Sequence, residues 1–260
     1  MQKHKYKPFL RKLIISVICI LFFSVHVYAE PMMLPNINID IGQSNDPSQV
    51  TGSLQMLFIL TILALAPSIL IMLTAFTRII ISLHFVRSAL GTQQMPPNQV
   101  LIGLALFLTF FIMAPTFKAV NEEAIQPYAA AEISQEVAIE KGMYPIKEFM
   151  LKQTRDVDLK LFADIAQMPP IENEEDLVKE IPSSILIPAF IINEIRAGFM
   201  IGFLIFIPFI VIDMVVASTL MSMGMMMLPP AMIALPFKIL LFIMVDGWNL
   251  VIGQLTQTFK

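Results

Sequence analysis

The sequence FIPFIVIDMVVASTLMSMGMMMLPP occupies residues 206–230 and joins a membrane-length apolar run to a cluster of methionines. One acid, Asp213, lies inside the apolar run. Methionine is unbranched and carries a polarizable sulfur, so clustered methionines form an apolar surface that adapts to different partners. The stretch therefore predicts a buried membrane helix that ends in a deformable apolar loop.

The residues around the methionines indicate a turn. Gly224 lets the backbone bend, and the Pro229-Pro230 pair stops a helix from continuing through the cluster. Two interpretations remain open at this point. The methionines either fill gaps in a tight turn between two membrane helices, or they form a compliant seal.

Composition assigns the chain to the integral membrane proteins. Of its 260 residues 57% are hydrophobic and only 14% are charged, which is not a soluble composition. The net charge of -3 conceals a segregation, because acids concentrate in residues 122–180 and several bases lie in the first dozen residues. No stretch has the basic pattern of a nucleic-acid binder. We expect an all-α, polytopic membrane protein without a nucleic-acid partner.

Residues 1–29 have the three parts of a secretory signal: a basic start, an apolar run over 13–25, and a small residue, Ala29, at the cleavage position. We predict cleavage after Ala29. An uncleaved first helix is the alternative, but the apolar run is shorter than the roughly 20 residues that a span needs. Cys19, the only cysteine, lies in this segment, so the mature chain would have no disulfide and no thiolate.

Apolar runs and turn residues divide the rest of the chain into four parts. They are an extracytoplasmic loop at 30–53, a first helical hairpin at 54–116, a small helical periplasmic domain at 117–181, and a second helical hairpin at 182–260. Apolar length alone predicts four spans, at 54–76, 100–114, 185–220 and 233–252. Pro67 and Pro208 are the expected sites of a kink or break, and Pro115 is the expected end of the second span.

Residues 77–91 carry Arg78, His84 and Arg87 and no acid, so the positive-inside rule places them in the cytoplasm. Gly91 is expected to close one helix, and the proline pair at 96–97 to open the next. The acids of 117–181 show no catalytic or metal-ligand spacing and are interpreted as a solvated face.

The last two spans carry unusual polar residues. Asn193, Glu194, Arg196 and Asp213 lie in the third span, and Lys238 and Asp246 in the fourth. A charge at membrane depth costs about 2.5 to 3.5 kcal/mol on insertion scales, so such residues normally face other helices or water. Glu194 and Arg196 are two positions apart and cannot face each other on one helix, so each should pair elsewhere.

Gly198 and Gly202 form a small-xxx-small face on the third span. In membrane helices such a face lets two backbones approach closely. We therefore predict a helix–helix contact at these glycines.

Three function classes fit an apolar bundle with a few buried charges. An intramembrane aspartyl protease would use Asp213 and Asp246, but neither has a Gly-x-Gly-Asp context. An ion or solute transporter could use Glu194, Asp213 and Asp246 as a relay, but such proteins usually show inverted repeats, and none is evident. A protein-conducting pore subunit, which needs oligomer-forming faces and an adaptable apolar constriction, fits best and is not an enzyme.

The sequence also resembles the FliP proteins of the flagellar type III export apparatus. PAFIINEIRAGFMIGF at 188–203 is similar to one signature of that family, and residues 206–227 are similar to a second. Shorter similar blocks are FTRI at 76–79, LGTQQ at 90–94, PPNQV at 96–100, LPFK at 235–238 and VDGWNL at 245–250. The resemblance covers residues 54–259. Asn193 stands where the family usually has serine, and Arg196 where it often has lysine.

The resemblance implies a core subunit of the export gate in the bacterial inner membrane, at the basal body of the flagellum. Several copies would assemble with FliQ and FliR, and with other membrane proteins of the apparatus, into a pore. Unfolded rod, hook and filament proteins would pass through it, driven by the proton motive force with help from a cytoplasmic ATPase. Met225, Met226 and Met227 would form its gasket, no cofactor is implied, and the helices would be broken hairpins lifted partly out of the bilayer.

The nearest alternative is the export-gate subunit of a virulence type III secretion system, which shares most of these motifs. Such relatives usually lack a cleavable signal, so residues 1–29 favour the flagellar branch. An ion or solute transporter is the more distant alternative.

Overall fold

A computed structural model describes residues 47–92, 94–169, 177–225 and 227–259, and Leu60–Lys260 form one compact unit. The helices are α1 (Pro47–Leu73), α2 (Phe76–Leu90), α3 (Asn98–Val120), α4 (Gln126–Ala129), α5 (Gln135–Gln153), α6 (Asp156–Ile165), α7 (Leu177–Glu180), α8 (Ser183–Ser222), α9 (Pro230–Met244) and α10 (Gly247–Gln257). A π-helical turn, Asn121–Ile125, joins α3 to α4. The described ranges contain helices and no strand, which confirms the predicted all-α class.

Helix α2 is buried on one face along most of its length. Its buried face contributes to two apolar clusters, one with α3 and α10 and one with α8, α9 and α10. Ile79, Leu83 and Val86 on this face are fully buried. The segment 77–91, which charge alone assigned to a cytoplasmic region between spans, is therefore largely a buried helix against which α3, α8, α9 and α10 pack. The predicted stop is present, since Gly91 ends α2 in the left-handed conformation.

Two pairs of consecutive helices are sharply bent. Helices α1 and α2 meet at a bend of 70°, and α9 and α10 at a bend of 65°. The first bend is at Thr74 and not at Pro67. The Thr74 hydroxyl donates to Leu70 O and accepts from the Phe76 amide. These two hydrogen bonds satisfy backbone groups that the break in the helix leaves without a helical partner. The second bend is at Asp246, whose φ of 50° is left-handed. The span predicted at 233–252 is therefore a bent pair of helices and not one straight helix.

Two other helices are longer than predicted. Helix α3 continues through Pro115 into the π-helical turn, so this proline does not end the span. Helix α8 runs for 40 residues through Pro188 and Pro208 without a break. Residues 98–129 and α8 are each long and apolar enough to cross a membrane, and the two bent pairs raise the candidate spans to four.

The helical region between the two hairpins packs against the first turns of α8. Met150 of α5, Ile181, and Leu186 and Phe190 of α8 share one buried cluster. The rings of Phe149 and Phe190 meet edge to face at 6.0 Å between centroids. Because this region shares its core with α8, it is part of the same compact unit.

The predicted signal peptide and its cleavage site lie outside the described residues. The loop predicted at 30–53 is wrong for its last residues, because α1 begins at Pro47. Asp46-Pro47 in the sequence is a helix-start signal, since an acid suits the N-cap and proline suits the first helical position.

Candidate functional site

Helices α2 and α8 approach closely at the two predicted glycines. A methyl carbon at Gly198 would lie 3.0 Å from Ile81 Cβ, and one at Gly202 would lie 2.3 Å from the ring of Phe85. Phe85 also meets Phe199 edge to face, with 5.3 Å between ring centroids. The absence of side chains at the two glycines thus sets the spacing of α2 and α8.

This close approach brings Arg78 of α2 against Glu194 of α8. Arg78 Nε donates to Glu194 Oε2 at 3.1 Å, and Arg78 Nη2 donates to Glu194 Oε1. The side chains are 5% and 0% exposed. Planar guanidinium and carboxylate groups in this two-point geometry form the strongest kind of protein ion pair.

Other groups satisfy the remaining donors of Arg78. Its Nη2 donates to Gln153 Oε1 at 3.2 Å, and its Nη1 donates to Thr258 O at 3.0 Å and Thr258 Oγ1 at 3.2 Å. The ring of Phe259 lies 4.1 Å from the guanidinium carbon. Asn193 donates to the backbone oxygen of Gln153. This network joins α2, α5, α8 and the end of the chain, and it leaves the buried charges compensated.

Arg196 has a different partner, on α6. Its Nη1 lies 2.8 Å from Asp158 Oδ2, and Arg155 Nε lies 3.1 Å from the same oxygen. Asp158 is buried, whereas both arginines are partly exposed. The sequence interpretation of the acids in 117–181 as a solvated face is wrong for Asp158.

Asp213 and Lys238 meet between α8 and α9. Lys238 Nζ donates to Asp213 Oδ2 at 2.6 Å, and the side chains are 6% exposed for Lys238 and 37% for Asp213. The other carboxylate oxygen, Asp213 Oδ1, is buried without a hydrogen-bond partner among the described residues. This pair is less completely satisfied than Arg78–Glu194.

The fifth predicted charge, Asp246, is exposed. It begins α10, and its Oδ2 accepts from Asn249 Nδ2 at 3.2 Å. Gly247, the next residue, packs so closely against Phe242 that a methyl carbon on Gly247 would lie 2.3 Å from the phenyl ring. Asp246 therefore shapes the bend between α9 and α10 and has no buried partner on another helix within the described residues.

The methionine loop follows the C-terminus of α8. Its turn is closed by backbone bonds from Gly224 N to Met221 O and from Met225 N to Leu220 O, with Gly224 at a φ of 75°. Met227 is 99% exposed and Met225 is 38% exposed, while Met226 lies outside the described residues. The described loop methionines are thus presented outward from the chain.

Sequence reasoning missed three residues that contact the predicted polar side chains: Arg78, Asp158 and Gln153. Arg78 is 116 residues from Glu194 in the chain, so no local pattern links them. Its single local signal is a cation within a strongly apolar segment, which by itself indicates a buried partner.

Comparison with known proteins identifies the family. The sequence model of the FliP family matches residues 59–255. Flagellar biosynthetic protein FliP of Bacillus subtilis (strain 168) is 58% identical over 221 residues, which cover 85% of this chain and 98% of the relative. The proteins of that name from Pectobacterium carotovorum subsp. carotovorum and Aquifex aeolicus (strain VF5) are 50% and 47% identical, over 92% and 87% of this chain and 90% and 92% of the relatives. This chain belongs to the FliP family.

Proposed function

We propose that the protein is a core subunit of the flagellar type III export gate in the bacterial inner membrane. Several copies assemble with FliQ and FliR into a pore through which unfolded rod, hook and filament proteins leave the cytoplasm. Relatives named flagellar biosynthetic proteins, at 47% to 58% identity, support the flagellar role.

The length of α8 is the observation that carries the proposal. At a rise of about 1.5 Å per residue its 40 residues extend about 60 Å, twice the roughly 30 Å hydrocarbon core of a bilayer. Large apolar side chains are exposed along it, including Phe199, Phe203, Val211 and Met214. A bilayer can cover only part of such a helix, so the rest needs protein neighbours.

The unsatisfied oxygen of Asp213 supports the same conclusion. A buried carboxylate oxygen without a donor is costly, and a donor from a neighbouring subunit would remove that cost. Asp213 lies near the end of α8 that leads into the methionine loop. The neighbour would therefore contact the helix close to the proposed constriction.

The exposure of the loop methionines supports a seal. Residues that only fill gaps between helices of one chain would be buried in that chain, whereas Met227 makes almost no such contact. Several copies of the loop, brought together around an axis, would place Met225, Met226 and Met227 against one another. Their flexible side chains would close the pore and then part around any substrate.

Photocrosslinking can test the proposal in cells. A photoreactive residue replaces Met227, and an export substrate is stalled by a folded domain fused to its end. We expect a crosslink between position 227 and the unfolded part of the substrate. The control is the same residue at Phe107 of α3, which is 80% exposed but lies outside the loop, and it should give no substrate crosslink.

Equal substrate crosslinks at both positions, or none at position 227 in a strain that still exports, would contradict the pore. Deletion of the gene should abolish secretion of hook and filament proteins. Normal secretion in the deletion strain would contradict the flagellar role itself.

A further inference from the structure

The last fourteen residues of α1, 60–73, form an apolar arm whose side chains are largely exposed. Leu60, Leu63 and Leu65 are 54%, 67% and 52% exposed. No charged residue occurs in residues 47–77. A helix that is apolar on every side is normally buried, either in protein or in a bilayer. The arm therefore needs a cover in addition to its contacts within the described chain.

The bend at Thr74 limits what this cover can be. Helix α1 meets α2 at 70°, and α2 runs beside α8, because both Arg78 and Phe85 lie against α8. Two helices at the average membrane tilt of about 20° differ in direction by at most about 40°. Helices α1 and α8 therefore cannot both be ordinary spans. If α8 crosses the bilayer, the arm lies nearly along the membrane plane, and a helix without a polar face is unsuited to that position.

A groove of matching chemistry lies between α8, α9 and α10. Its volume is about 580 Å³, and none of the described residues that line it is charged. Leu204, Pro208 and Leu241 belong to its walls, and its only polar side chains are those of Gln254 and Thr258. Apolar helices commonly bind to proteins in hydrophobic grooves of this kind.

The arm does not fill the groove of its own chain. Leu73, at the end of the arm, packs against the cluster that contains Leu186 and Phe190. Phe209, in the wall of the groove, is 19 positions beyond Phe190 on α8, which corresponds to about 29 Å at about 1.5 Å per residue. Because α2 runs from the arm toward the groove and the bend is less than 90°, the arm extends sideways and slightly away from the groove.

We propose that the arm 60–73 of one copy lies in the groove between α8, α9 and α10 of a second copy of this chain. This contact, which rests on the proposed assembly of several copies, joins two different surfaces, so each copy gives one arm and receives one. Head-to-tail contacts of this type generate rings or helices, and these can surround a pore. Removal of uncharged apolar surface from its surroundings stabilises the contact.

Cysteine crosslinking in cell membranes tests the contact. Two differently tagged chains, both with Cys19→Ser, are produced together with the other proteins of the apparatus. One carries Leu63→Cys and the other Leu204→Cys. A bismaleimide should join the two tags in the assembled complex. In the matched control Phe107→Cys, at a side chain of α3 that is 80% exposed, replaces Leu204→Cys and should give no joined product.

Two outcomes of this experiment would overturn the contact while leaving the proposed pore intact. One is an equal yield of joined product in the control. The other is no joined product with Leu204→Cys in complexes that are present on native gels. Leu60→Cys, three positions away on the same helix face, repeats the test if Leu63→Cys does not fold. Absence of any multimer on native gels would contradict the proposed assembly and the contact together.

Leu204→Trp distinguishes a second copy from lipid. Leu204 is 61% exposed in one chain, so the larger side chain should leave the unfolding temperature of the subunit unchanged. It should lower the association constant of the complex about tenfold, a usual effect of overpacking a contact. Unchanged assembly would overturn the contact. Labelling of the arm by a photoreactive lipid in the assembled complex would also overturn it, because the arm would then face the bilayer.

Discussion

Helix α8 takes part in two ion pairs. The pair in its first half is buried, and the pair in its second half is partly exposed. Glu194 and Arg78 are buried, and Gln153 and Thr258 accept from the other donors of the guanidinium. Asp213 is 37% exposed, and one of its oxygens has no hydrogen-bond partner among the described residues. Among the described residues, the hydrogen bonds of the first pair are complete and those of the second are not.

This difference indicates two tasks for one helix. A satisfied pair inside the chain can hold α2 and α8 together before any neighbour arrives. A pair with a free acceptor gains from a further donor, and a neighbouring subunit can supply one. We infer that the Glu194 region specifies the fold of the subunit and that the Asp213 region serves assembly.

The largest expected effect is that of Glu194→Ala. Removing one partner of a buried pair leaves an uncompensated charge, which costs about 3 to 5 kcal/mol. The chain should therefore unfold at a markedly lower temperature in detergent and accumulate poorly in cells. The control is Glu194→Leu with Arg78→Met, which removes both charges and should restore most of the stability. A Glu194→Ala chain with wild-type unfolding would show that the pair does not stabilise the subunit.

Gly202→Ala should cost less, about 1 to 3 kcal/mol by overpacking. Phe85 Cβ would lie 2.7 Å from the added carbon, so rotation of the ring alone cannot remove the clash. Gly198→Ala should cost less again, because its nearest contacts are at 3.0 Å. Gly253→Ala in α10 is the matched control, with nothing within 4 Å, and should be neutral or stabilising. Unfolding temperatures in another order would contradict the close approach of α2 and α8.

The double change Asp213→Leu with Lys238→Met tests whether the Asp213 region serves assembly and not the fold of the subunit. It removes both charges, so the stability of the isolated subunit should stay within about 1 to 2 kcal/mol of the wild type. The yield of assembled complex on native gels should fall, because the acceptor offered to the neighbour is gone. The Glu194→Leu, Arg78→Met double is the comparison and should assemble at a higher yield. Equal yields for the two doubles would remove the proposed distinction.

Local sequence patterns predicted the helices, the Gly91 stop and the proline restart, because these depend on neighbouring residues. The FliP family followed from long motifs around Glu194 and Asp213. The two glycines at the α2–α8 contact were found because their four-residue spacing places them on one helix face.

The predictions that failed concern residues whose partners are distant in the chain, or stretches in which two sequence signals compete. The ion pair of Arg78 was missed because its counterion is on another helix, far along the chain. Asp158 was assigned to a solvated face, although two arginines enclose it. The bend at Asp246 had a local signal in Asp-Gly, a turn dipeptide, but the apolar run around it favoured one continuous span.

The smallest expected effect on the subunit is that of replacing Met225, Met226 and Met227 together by Ala. The described members of this group lie at an exposed turn, so few contacts within the chain are lost, and both stability and yield of the complex should stay near the wild type. Alanine leaves a gap that water can enter, so the closed pore should leak ions. Replacement of Met232, which is 72% exposed on α9, by Ala is the control and should not cause a leak.

Conductance of the purified complex in a planar bilayer tests the central claim, that the methionine loops of several copies close a protein-conducting pore. We expect a small resting conductance for the wild type and the Met232→Ala control, and a clearly larger one for the triple variant at equal yield of complex. An unchanged conductance in the triple variant, or a loss of assembly without a leak, would contradict the claim. Either result would indicate that these methionines only pack a turn between two helices.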